Sequence, residues 1–163
     1  MVRQGGQVPA SVAPRTSVAE ELADVVPRLY RLLRTALDED PGTPSLEQLR
    51  VMQRVDDGLR HTSALAAARQ MRMSAITGIL DVLAQRNWIR REPDPTDRRR
   101  TNVELTGDGC KMLARGRRLT SRRVATILDE YPRALSELSL AVEGLVEAVT
   151  RYDERPVVRR GTP

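Results

Sequence analysis

The 163-residue chain has one cysteine, Cys110, one histidine, His61, and one lysine, Lys111, and it contains no phenylalanine. A single cysteine excludes an internal disulfide framework and a multi-cysteine zinc site, and makes a reducing cytoplasm the expected location. A lone histidine with no Asp, Cys or Ser constellation around it is expected to be a local hydrogen-bond partner at a helix start. Gly-rich phosphate loops, paired catalytic carboxylates, nucleophile motifs and metal-ligand spacings are all missing, so neither an enzyme nor a cofactor or metal is expected. No apolar run approaches the roughly 20 residues that cross a bilayer. The N-terminal stretch, with Gly5-Gly6, Pro9 and Pro14, lacks the apolar core of a signal peptide. The only aromatics are Tyr30, Trp88, Tyr131 and Tyr152. Packing must therefore rest on Leu, Val, Ile, Ala and Met, as is common where helices pack on helices.

What is abundant is arginine. The net charge is +5, and its distribution says more than its total. Twelve basic and five acidic residues lie between Arg86 and Arg123, so this segment carries +7 and the remainder −2. A basic half of this kind favours a polyanionic partner. Forty per cent apolar and thirty per cent charged residues suit one helical domain with a modest core.

Residues 1–16 are small, polar and punctuated by Pro and Gly, which predicts a disordered leader, and residues 153–163 predict a flexible tail. Ser17 with Glu20 reads as a capping box before a helical stripe of Val18, Leu22, Val25, Val26, Leu29, Leu33 and Leu37. Pro27 interrupts that stripe, which predicts either a kink or two abutting helices. Asp40-Pro41-Gly42 forms a turn. Thr43 is the expected cap of a second helix with Pro44 in its first position and Leu46, Leu49, Met52 and Val55 as its apolar residues, ended by Asp57-Gly58.

A short Ala-rich helix opens at Thr62 or Ser63 and runs through Leu65, Ala66 and Met71. A break near Arg72-Met73 then precedes Ser74, the expected cap of the next helix. Two short helices joined by a tight turn make a helix-turn-helix. In the second, Ile76, Ile79, Leu80 and Leu83 face the core, and the opposite face carries Ser74, Ala75, Thr77, Gly78 and Asp81. Such small side chains let a helix lie deep in a DNA major groove. Asn87 stands where a left-handed helix stop is expected.

Residues 88–105 read as a β-hairpin: two β-type runs flank Pro93-Asp94-Pro95-Thr96-Asp97-Arg98-Arg99-Arg100. Adjacent guanidinium groups at a hairpin tip suit the phosphate backbone and the narrow minor groove of DNA. Arg98 and Arg100 either join Arg99 on DNA or pair with Asp94 or Asp97, since side chains alternate along a hairpin. Thr106 caps a long helix through Leu113, Leu119, Val124, Ile127 and Leu128, ended by Tyr131-Pro132. A last helix from about Ser136 uses Leu138, Val142, Leu145 and Val149.

The spacing Asp94-Pro95-x-Asp97-x-Arg99, followed by Val103, Leu105, Thr106 and Gly109, resembles the wing signature of MarR-type winged helix-turn-helix regulators. Eight positions agree over sixteen residues, and the order of helices around them fits. The resemblance spans residues 17–152 and implies a mainly α fold with a small β-hairpin wing. The winged helix-turn-helix falls at about 44–106, between dimerisation helices at about 17–39 and 107–152. It implies double-stranded DNA and a second copy of the chain as partners, with Leu22, Leu29, Leu138, Leu145 and Val149 at the dimer interface. The recognition helix, about 74–86, would present Ser74, Ala75, Thr77 and Gly78, and the wing would present Arg98, Arg99 and Arg100 supported by Asp94 and Asp97.

Similar proteins bind phenolic or other small aromatic anions between the dimerisation helices and the winged unit, where Tyr30, Arg34, Met52 and Trp88 are the candidates. Trp88 is also expected to anchor the wing to the core. The chain departs from the family pattern at Gly78, where a polar long side chain is common, and at Arg69, where an apolar residue is common. Gly78 signals either close backbone approach to DNA or weaker base readout. Cys110 is expected as a small core residue, with oxidation sensing at a helix start as the alternative; the family's peroxide sensors carry their cysteine near the first helix, which has none here. The expected function is a dimeric, ligand-responsive repressor on a pseudo-palindromic operator. A winged-helix protein-interaction module and a weakly specific architectural DNA-binding protein are the alternatives.

Overall fold

The helical stripe that opens the domain forms α1, Arg15–Asp38, and the computed structural model describes residues 15–95, 97, 100–130 and 135–153. After α1 come α2 (Leu46–Asp56), α3 (Thr62–Ala68), α4 (Met73–Gln85), β1 (Ile89–Pro93), β2 (Thr101–Leu105), α5 (Gly107–Asp129) and α6 (Leu135–Asp153). This is the element order the sequence predicts. Two compact units divide after Arg123, within α5.

Several local expectations are corrected. Ser17 does not cap α1, which already begins at Arg15. Within the first turn of the helix, its hydroxyl donates to Glu21 Oε1 at 3.2 Å. Pro27 does not split α1 into two helices. Both Pro27 and Ala23 are exposed, so the carbonyl that loses its amide partner is solvated and the helix continues past it. Thr43 gives up its capping role to Ser45, whose hydroxyl accepts from the Gln48 amide while the Gln48 side chain accepts from the Ser45 amide. The Thr43 hydroxyl donates instead to the carbonyls of Leu37 and Asp40, closing the turn after α1. Arg72 rather than Ser74 occupies the N-cap of α4, and no side-chain bond caps it. Of the predicted leader (1–16) and tail (153–163), residues 1–14 and 154–163 lie outside the described residues, as do Tyr131 and Pro132. Arg15, Thr16 and Asp153, assigned to those segments from sequence, belong to α1 and α6.

The first unit contains the core. Leu49, Val51 and Met52 of α2, Leu65 of α3, Ile76, Leu80 and Leu83 of α4 and Val103 of β2 are among its fully buried residues. Leu37 of α1 and Leu113 of α5 close it from two further sides. On α4 the inward stripe is the predicted one, with Ile79 half-buried at its edge. β1 and β2 pair antiparallel, Ile89 opposite Leu105 and Pro93 opposite Thr101. A short bridge between His61 and Asn102, with the Val103 amide donating to the Arg60 carbonyl at 2.7 Å, ties β2 to the residues entering α3. The sequence reading does not foresee this bridge, because two residues are too short to show strand alternation.

The second unit contains the end of α5 and α6. Leu138, Leu145 and Val149 of α6 are exposed in the single chain.

Candidate nucleic-acid interface

The turn between α3 and α4 reverses at Gln70, whose φ of 50° is left-handed, and the Met71 amide donates to the Ala66 carbonyl at 2.9 Å. With Ile76, Leu80 and Leu83 buried, α4 can present only its other face. Ser74, Ala75, Thr77, Gly78 and Asp81 are all exposed there. Asn87 stops the helix as expected, at φ 56°. The Trp88 amide then donates to the Leu83 carbonyl at 2.9 Å, turning the chain into the wing. Trp88 is buried, and the Arg86 guanidinium stacks 4.9 Å from its ring centroid.

The base of the wing tip is closed by backbone bonds. The Asp94 amide donates to the Arg100 carbonyl at 3.0 Å, and the Arg100 amide to the Asp97 carbonyl at 2.8 Å. Asp94, buried, accepts from the Asp97 amide at 3.0 Å through Oδ1. The Arg100 side chain lies 3.3 Å from Asp97 Oδ2, so of its two predicted roles the free chain displays the paired one. Arg98 and Arg99 lie outside the described residues. His61 sits with Nε2 3.8 Å from Asp94 Oδ2, between the helix-turn-helix and the wing.

Along the hairpin, Glu104 gathers the guanidinium groups of Arg90 and Arg60. The hydrogen bond from Arg90, joined by the charge of Arg60, holds the Glu104 carboxyl below its usual range, and the same bond raises Arg90. Arg91 points to the helix: its guanidinium binds Asp81 Oδ1 at 2.7 Å and reaches the Thr77 carbonyl at 3.4 Å. A cleft of about 350 Å³ lies between these elements, lined by Thr62, Ser63, Met73, Thr77, Arg91, Arg100 and Thr101 among others. Sequence reasoning did not single out Arg91, although its position opposite Val103 follows from the register.

The four ligand candidates are not brought together as one wall. Met52 is fully buried within the core, Trp88 is buried under the wing, and Arg34 pairs with Asp38 one turn on. Tyr30 donates to Glu47 Oε1 at 2.8 Å, and Arg69 donates to Glu47 Oε2 at 2.7 Å. This triad joins α1, α2 and the end of α3, and explains the arginine where an apolar residue was expected. Burial pushes the Glu47 carboxyl up, but the bonds from Tyr30 and Arg69 outweigh it and hold it below the ordinary value. The Glu47 bond keeps the Tyr30 phenol protonated to higher pH than usual. A second cavity of about 370 Å³ is lined by Arg50, Gln53, Arg54, Asp57, Arg69 and Arg117. Cys110 is exposed rather than part of the core, because the first turn of α5 turns Gly109 and Leu113 inward instead. Among the described residues no three His, Cys, Asp or Glu side chains gather as a metal site, and no helix is long and apolar enough to cross a membrane.

A helix-turn-helix flanked by a two-stranded wing defines a winged helix-turn-helix protein. The sequence pattern of the MarR family matches residues 45–101. An uncharacterized HTH-type transcriptional regulator of Mycobacterium leprae is 30% identical over 102 residues, 62% of this chain and 70% of that protein. The HTH-type transcriptional repressor NicR of Pseudomonas putida is 30% identical over 100 residues, 55% of this chain and 63% of that protein. The fold is similar to that of Streptococcus pneumoniae FabT in complex with DNA, with a TM-score of 0.67 and 16% identity over 86% of this chain and 99% of that one. The chain belongs to the MarR family of helix-turn-helix transcriptional regulators.

Proposed function

We propose that the protein is a homodimeric repressor that binds a pseudo-palindromic operator through α4 and the arginine-rich wing, and releases it when a small aromatic or anionic ligand changes the spacing of its two winged units. The observation that carries the reading is the outward face of α4: Ser74, Ala75, Thr77 and Gly78 are exposed side by side, next to a wing whose base is closed by Asp94 and Asp97. Small side chains leave the helix free to enter a major groove. The sequence puts Arg98, Arg99 and Arg100 between β1 and β2, and in this reading they contact phosphate or the adjacent minor groove.

Apolar side chains left exposed in one chain support the dimer. Val18, Leu22, Val25 and Val26 on α1, and Leu138, Leu145 and Val149 on α6, need a partner to leave water. Two-fold symmetry would set the two recognition helices about 34–36 Å apart, one turn of DNA. A ligand can act only through different affinity for the competent and incompetent spacings. Repression is supported by the name of the relative NicR and DNA binding by the complex of FabT. A transcriptional regulator of this kind works in the cytoplasm.

The test is competition binding of the DNA upstream of the protein's own gene against random DNA of equal length, at about 150 mM salt. Preference for the upstream DNA is the expected result. Equal binding to both would favour an architectural role, and binding to neither a protein-interaction module.

A further inference from the structure

Within the range Met73–Gln85, α4 carries one charged residue, and it is an acid. Asp81 stands one turn beyond Gly78 on the exposed stripe that includes Ser74 and Thr77. A carboxylate on a helix that enters a groove is repelled by two phosphate backbones, which makes its presence there a cost. The structure also shows how that cost is met: Arg91, from β1, places its guanidinium 2.7 Å from Asp81 Oδ1. Even so paired, the Asp81 side chain keeps 60% of its exposure.

We infer that Asp81 is a base-reading residue, accepting a hydrogen bond from the N4 amino group of a cytosine in the major groove, and that Arg91 neutralises it so that it can approach DNA. The inference rests on α4 being the recognition helix. An ionised carboxylate is acceptor-only, and cytosine N4 is the major-groove donor that Asp pairs with.

Gly78 fits the same arrangement. A methyl group there would meet nothing within 4 Å, so packing inside the chain does not require glycine. A glycine in a helix interior nevertheless costs about 1 kcal/mol relative to alanine. Its missing side chain allows the middle of α4 to come closer to the bases and brings Asp81, one turn on, within reach. The polar groups left on the stripe before Asp81 are the hydroxyls of Ser74 and Thr77, which bond to either donors or acceptors and discriminate weakly. Asp81 supplies the acceptor-only contact that they do not.

The experiment is enrichment of bound sequences from a randomised duplex library by the full-length protein and its variants. The native protein is expected to enrich a two-fold symmetric motif with one cytosine in each half-site read by Asp81. Asp81→Asn should change that position alone to adenine, which asparagine pairs through N6 and N7. Asp81→Ala should lose about tenfold of the preference there and leave the other positions unchanged. Arg91→Gln should weaken binding to the native motif at least tenfold, and the double variant Arg91→Gln/Asp81→Asn should recover affinity on the adenine motif. An unchanged motif in both Asp81 variants would overturn the base-reading role while leaving α4 as the recognition helix. Failure of the double variant to recover would overturn the neutralising role of Arg91. If the native protein enriches no motif, this inference and the recognition-helix reading fall together. Unchanged thermal unfolding of Asp81→Asn, expected for an exposed side chain, separates these outcomes from misfolding.

Discussion

Gly109 packs its α-carbon against the backbone carbonyl of Trp88, so closely that a Cβ built on the glycine would overlap the carbonyl oxygen and carbon. The helix that follows the wing is thereby seated on the residue that precedes it. Thr106 completes the joint: its hydroxyl donates to the Asn87 carbonyl at 2.6 Å and accepts from the Gly109 amide at 3.0 Å, while its own amide donates to Trp88 at 3.1 Å. These bonds give the Leu-Thr-x-x-Gly spacing a physical meaning. Threonine caps α5 and clamps the hairpin, and glycine is the residue that leaves room for the clamp to close.

Gly109→Ala is therefore expected to destabilise the protein by about 1–3 kcal/mol, because the methyl group overpacks against backbone that cannot move aside as a side chain would. Alanine's better helix propensity, worth about 1 kcal/mol, acts in the opposite direction. Urea unfolding of the variant measures the balance, and a variant as stable as the parent would contradict the tight joint. At Gly116 the obstacle is a side chain rather than backbone, since a Cβ there would meet the Leu49 Cδ1 at 2.6 Å.

Most of the first unit was legible because its signals are periodic or chemically specific. Ile76, Leu80 and Leu83 repeat at helical spacing and are buried, and Asn87 stops α4 with a left-handed backbone. What was illegible depends on competition between neighbours. Ser17, Thr43 and Ser74 are all competent caps, yet the caps fall elsewhere because tertiary turns and helix extension decide which hydroxyl meets a free amide. The pairing of Arg91 with Asp81 and the triad of Tyr30, Glu47 and Arg69 join residues distant in sequence. Charge patterning alone does not reveal such partners, although Arg69 announced itself by standing where an apolar residue was expected.

The triad predicts a pH dependence. Glu47 has its carboxyl held below the ordinary value in the folded state, so its contribution is present at neutral pH and disappears as pH falls through that lowered value. Glu47→Gln should cost about 1–2 kcal/mol near pH 7, discounted for a partly exposed site. The gap from the parent should narrow as pH falls through the lowered value of Glu47, below which both proteins present a neutral group. Unfolding curves measured across this range check it; a gap independent of pH would mean that the Glu47 charge contributes nothing. Glu104 titrates in the same direction, and comparison with the parent cancels its effect.

The wing arginines should act on DNA rather than on folding. Arg99→Ala is expected to weaken operator binding at least tenfold at physiological salt with unfolding unchanged, since the reading gives this arginine a phosphate or minor-groove contact and no part in the core. Unchanged affinity in an electrophoretic titration would remove the wing from the mechanism.

Salt dependence follows from the same charges. If a dimer covers about 6–10 phosphates, affinity should fall about 10³ to 10⁵-fold between 50 and 200 mM salt. A flat profile, measured by fluorescence anisotropy, would count against a polyanionic partner.

The apolar faces of α1 and α6 predict an obligate dimer. Leu145→Glu should convert the protein to a monomer or prevent stable folding, because a buried unpaired charge is costly at an interface. Light scattering of the parent at micromolar concentration should give twice the chain mass, and a stable folded monomer would contradict the interface.

Whether a symmetric dimer reads DNA through α4 and its wing is decided by a hydroxyl-radical footprint of the purified protein on the DNA upstream of its gene. Two protected half-sites related by a two-fold axis, with centres about 34–36 Å apart, are the expected result. A uniform or single-sided protection would contradict it.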